Sequence, residues 1–131
     1  MADVVVTVPR QRWLEWIREG DAAGDPESDR LWAWHCRPEY GPPPISQGER
    51  LYICAWGRVR GYAPLIRLLR KPNCWALCRR GGAVAVTIEE RVRPFRGWRE
   101  RWWSRDIERP FPDWRTKDTP EQTLTLPGFE R

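Results

Sequence analysis

The sequence predicts a small, mostly β domain of the α+β class, rolled into a pseudo-barrel with one or two flanking helices. Three observations carry that prediction. Short β-branched or alternating runs recur along the chain, separated by glycine and proline. One segment, after Pro9, has clear helical periodicity. The 131 residues, 40% hydrophobic and 31% charged, suit one modest core and not a disordered chain.

Taken in order, "DVVVTV" (Asp3 to Val8) reads as a first strand. Pro9 opens a helix at the position proline tolerates best. Trp13, Leu14, Trp16 and Ile17 share one face of it, and Gly20 is placed to end it. Asp21 to Asp29 is a polar loop. "LWAWHC" alternates, with Trp32, Trp34 and Cys36 opposite Leu31, Ala33 and His35. "PEYGPPP" is a loop.

Gly48 to Pro64 reads as two strands joined at Gly57, with Tyr52, Cys54 and Trp56 alternating against Leu51, Ile53 and Ala55. Leu65 to Leu69 suits strand or helix. "CWALCRRGGAVAVTI" predicts a hairpin around Gly81-Gly82, its tip carrying Arg79 and Arg80 in solvent, with Val84, Val86 and Ile88 on one face. "RPFRGWRERWW" is a last strand or helical turn, and Trp114 a lid on the barrel. The domain is expected to span 1–115, with 116–131 a tail or surface strap.

No run approaches the roughly 18 apolar residues that cross a bilayer, so no membrane partner is expected. The N-terminus lacks the positive start and apolar run of a secretory signal, which points to the cytoplasm. In that reducing setting Cys36, Cys54, Cys74 and Cys78 read as core or loop thiols. The C-x3-C spacing of Cys74 and Cys78 with His35 is weak for zinc, because no second tight ligand pair exists. No metal and no cofactor are expected.

Charge is unevenly spread. The net charge is +5, but residues 50–105 hold fourteen of the 23 Arg and Lys and only three of the 18 acids. Lys71 and Lys117 are the only lysines. A cationic middle rich in arginine suits a polyanion, nucleic acid by default.

The densest stretch is "GWRERWWSRD". As a strand it sets Trp98, Glu100 and Trp102 on one face and Arg99, Arg101 and Trp103 on the other. Indole and guanidinium planes stack bases, and arginine neutralises phosphate. "GRVRGYAP" adds Arg58, Arg60 and Tyr62 on one extended face, between glycines that allow close approach. The expected nucleic-acid surface is therefore Arg58, Arg60, Tyr62, Arg96, Trp98, Arg99, Arg101, Trp102, Trp103 and Arg105. Splayed bases against aromatic rings favour RNA over DNA.

The order of these segments resembles the ASCH and EVE branches of the PUA-like superfamily. There, a helix ending in glycine precedes a strand of the type GDR-aliphatic-x-aliphatic and then one of the type G-x-aliphatic-x-G. Gly48, Glu49, Arg50, Leu51, Tyr52 and Ile53 match the first, and Gly57, Val59 and Gly61 the second. The resemblance covers most of residues 3–105. It implies a pseudo-barrel with a cleft for RNA, DNA or a modified base. ASCH domains typically carry G-x-K-x-x-x-x-R after the first helix, but here Gly20 is followed by Asp21 and Ala22. The lysine-dependent amidohydrolase chemistry of some ASCH relatives is therefore not carried over.

Two other functions fit the same residues. A small hydrolase acting on a modified nucleoside or nucleic acid needs an acid among the arginines, with Glu90 and Glu100 the candidates. No nucleophile–base pair, P-loop, G-x-S-x-G or H-E-x-x-H is present in support. A protein-interaction module would use the same Trp and Arg residues as hot spots. The sequence leaves oligomeric state open.

Overall fold

The computed structural model describes residues 2–19, 31–80 and 83–116. Gly20, the polar loop after it, the Gly81-Gly82 turn and the tail beyond Thr116 lie outside the described residues. A six-stranded sheet carries the fold, in the order β2-β5-β4-β3-β1-β7. Its strands are β1 (Val4–Thr7), β2 (Leu31–Cys36), β3 (Arg50–Ala55), β4 (Arg58–Lys71), β5 (Cys74–Arg80) and β7 (Trp98–Glu100). A two-residue ribbon, β6 (Val86–Thr87) with β8 (Arg109–Pro110), forms a second, smaller sheet that packs against β4. The mostly β, α+β class is as the sequence predicts, with a single α-helix, α1 (Arg10–Arg18), among the described residues.

The position of β1 in the sheet explains why the first run is unbroken valine. β1 lies between parallel β3 and antiparallel β7 and is buried on both faces. Val4 and Val6 join Leu51, Ile53, Leu65 and Leu77 in one cluster, beneath Trp13 and Trp16 of α1. Val5 joins Tyr52, Cys54, Val59, Ile88 and Trp103 in another on the opposite face. A strand covered on both sides needs no polar alternation. Helix α1 buries the predicted face through Trp13 and Trp16, while Leu14 stays 39% exposed. Trp114 closes over Trp13 edge-to-face at 5.6 Å, as a lid should.

β3 and β4 meet at the two-residue turn Trp56-Gly57, both at positive φ as a type I′ hairpin requires. β4 then runs unbroken through Leu65–Leu69, so that ambiguous stretch is strand. Gly61 allows a second backbone onto β4. The Val84 carbonyl oxygen lies 2.5 Å from where a Cβ would stand, and Tyr62 and Val84 exchange backbone hydrogen bonds of 3.0 and 2.8 Å.

Three expectations need correction. The sheet is not a closed barrel: β2 and β7 remain its edges. It curls far enough that the Trp34 indole of β2 donates 3.2 Å to the Thr7 carbonyl on β1, beside the other edge. The hairpin of β5 with residues 83–88 is also absent, because both sides of β5 are taken by β2 and β4. Arg79 accordingly is not at a solvated tip; it is 2% exposed, with its guanidinium 4.9 Å over Trp16.

Candidate nucleic-acid interface

The cleft between the sheet edges is a hollow of about 400 Å³ lined by Trp34, His35, Cys36, Arg37, Tyr40, Phe95, Arg96 and Gly97. A second hollow of about 260 Å³, reaching Arg12 and Trp16 of α1, shares Trp34 and His35 with it. The two hollows, together the groove, adjoin along β2.

Thr7, at the end of β1, fixes the groove floor. Its hydroxyl donates to the Phe95 carbonyl at 2.9 Å and faces the Phe95 N–H at 3.3 Å, while its own carbonyl accepts from Trp34. The opposite wall is the Tyr40 loop. Trp98 Nε1 donates to the Gly41 carbonyl at 3.2 Å and ties that loop to β7. Gly97 has φ +72°, and a Cβ there would stand 2.9 Å from the Tyr40 ring, so only glycine seats this tyrosine. The groove thus presents Trp34, Tyr40 and Phe95 as rings, with Arg12, Arg37 and Arg96 around them. Arg99 lies 4.3 Å over the outer side of Phe95. No carboxylate is among the described residues lining either hollow.

Arg12 and Arg37 pair with Glu15 at 3.2 Å and Glu39 at 3.7 Å, all on partly or fully exposed side chains. Such pairs contribute ~0–1 kcal/mol, so a phosphate competes with them easily. Cys36, at the groove base, has its thiol pKa pushed up by burial and by neighbouring Cys74, so it stays protonated. All four cysteines are free, and no cluster of metal-binding side chains occurs among the described residues.

The residues expected to form the binding surface divide into three sets. Arg96 lines the groove, with Trp98 and Arg99 supporting it. Trp102 is 40% exposed on the neighbouring surface, edge-on to Phe95 and donating to Glu90 at 3.0 Å. The remaining six are part of the frame. Arg58 and Arg60 are buried, donating to the Ile88 carbonyl and to the Ala55 and Thr116 carbonyls. The anticipated face of Arg58, Arg60 and Tyr62 therefore does not form at the surface.

Arg101, Trp103 and Arg105 belong to a charged cluster that the sequence reading missed. β7 ends at Glu100, and the chain turns so that Trp103, not Trp102, goes inward. Asp3, 7% exposed, accepts from the Arg50 N–H at 2.9 Å, from Arg101 Nε at 3.1 Å and from Arg105 at 2.7 Å. Glu108 accepts from the Tyr52 hydroxyl at 2.5 Å, Trp103 Nε1 at 2.9 Å and Arg50 at 3.3 Å. Arg50 joins the two acids and lies 4.0 Å over Tyr62. Burial, then Glu108, pushes the Tyr52 pKa up and keeps it a donor. This cluster straps residues 101–108 onto β1 and β3. Glu90 and Glu100, the candidate catalytic acids, are exposed and lie outside the groove lining.

No protein-family model, curated protein or solved structure matches this chain. Among the described residues no helix is long and apolar enough to cross a membrane.

Proposed function

We propose that this protein is a PUA-like domain that binds single-stranded nucleic acid, RNA before DNA, in the groove between β2 and β7. One observation carries the reading: the rings of Trp34, Tyr40 and Phe95 and the guanidinium groups of Arg12, Arg37 and Arg96 line two adjoining hollows with no acid in their described lining. Rings accept unstacked bases at about 1–3 kcal/mol each, whatever the base. Arginines that border them take the phosphates. Duplexes expose no free base faces, so a strand or a flipped base suits this groove and a helix does not.

The test is a fluorescence titration with octauridylate and octathymidylate at several salt concentrations, with the protein's tryptophan emission as the internal reporter. Binding quenches the emission, and log affinity falls with log salt at about 0.7 per phosphate contacted. Unchanged emission with both strands at low salt overturns the reading. So does binding that ignores salt, which would indicate a non-ionic partner.

A further inference from the structure

His35 is the only histidine in the chain, and it stands where the two hollows meet, forming part of both walls. It sits on the solvent side of β2 beside Ala76 of β5, while Cys36 turns inward. The charges around it are cations from three directions: Arg12 on α1, Arg37 after β2, and Lys71 at the end of β4. Glu15 and Glu39, the carboxylates paired with Arg12 and Arg37, lie outside the lining of both hollows. The adjacent Cys36 thiol is neutral, for the reasons given above. Partial desolvation, then Lys71 and Arg12, hold the imidazole below its ordinary pKa of 6.5, so it is uncharged at neutral pH.

We propose that His35 seats one phosphodiester of the bound strand and that binding takes up a proton there. The inference rests on the nucleic-acid reading above. An imidazole whose charged neighbours are cations lacks the anion that would favour its charged form, and a phosphate bound in the hollow beside Arg12 supplies it. Both ring nitrogens then become donors. The linkage has a definite sign. The protonated protein binds tighter, so affinity rises as pH falls through the imidazole pKa of the complex. It levels off below the pKa of the free protein.

The experiment follows the imidazole resonances by NMR and the affinity for octauridylate, from about pH 8 to about pH 5.5. Uracil has no group titrating in that window, and a lone histidine needs no assignment. Octauridylate should raise the imidazole pKa, and affinity should strengthen roughly tenfold for each unit of that rise. The His35→Gln protein should lose the pH slope. An unmoved imidazole pKa, a flat affinity in the wild type, or a slope that persists in His35→Gln overturns this inference and leaves strand binding standing. No binding at any pH overturns both.

Discussion

Asp3→Ala lowers the stability of the fold by about 3 kcal/mol, read as a fall of roughly 10 °C in the thermal midpoint. The size follows from what the carboxylate holds. Its side chain is 4% exposed and meets Arg101 at 3.1 Å and Arg105 at 2.7 Å. Its other oxygen accepts from the Arg50 N–H at 2.9 Å. Removing it strands a partly buried guanidinium and the Arg50 N–H together, while the more exposed Arg105 recovers some hydration. Asp3→Asn keeps an acceptor for Arg50 and should lose less.

The same residue sets an acid limit. Burial alone would raise the Asp3 pKa, but the bonds from Arg50, Arg105 and Arg101 outweigh it and hold it below the ordinary 3.8. A depressed folded-state pKa means the contribution is full above 3.8 and disappears as pH falls through the folded value. Acid denaturation of Asp3→Asn, compared with wild type, should lack that component. A wild-type-like acid profile in Asp3→Asn would remove Asp3 from the frame.

The second large effect is on binding. Arg12→Ala/Arg37→Ala/Arg96→Ala should weaken octauridylate binding by about 100-fold at low salt, taking roughly 1 kcal/mol per charged contact. The salt slope should fall by about 2, at 0.7 per lost single-strand contact. All three side chains are exposed, so the thermal midpoint should stay close to wild type. Arg101→Ala and Arg105→Ala give the contrast. They should destabilise the fold while leaving the salt slope of the surviving protein nearly intact.

The fold class was legible in the sequence because it rests on local pattern. The valine run, the helical stripe of Trp13 and Trp16, and the Gly57 turn each specify an element within a few residues. Failure to close is not local: it depends on two edge strands, far apart in sequence. Strand occupancy misled the reading of β5 in the same way, since both its partners precede it in sequence or lie just before its turn.

The candidate site was legible only in part. Arginine and tryptophan density correctly marks residues 95–105 as chemically unusual, but density cannot separate frame from surface. Asp3 is the missing signal, a single acid ahead of a β-branched run, and it turns Arg101 and Arg105 from exposed cations into a strap. Tyr40 carried a weak local hint, as an aromatic residue inside a proline-rich loop. Phe95 and Thr7 had none, because their juxtaposition is made by the curl of the sheet.

The most direct test of the groove is photo-crosslinking of an octanucleotide of 4-thiouridine, followed by peptide mapping. Groove binding predicts adducts on Trp34, Tyr40 or Phe95, within peptides from β2, its following loop and the segment before β7. Adducts confined to Trp102 or to the β4–β5 hairpin would contradict it.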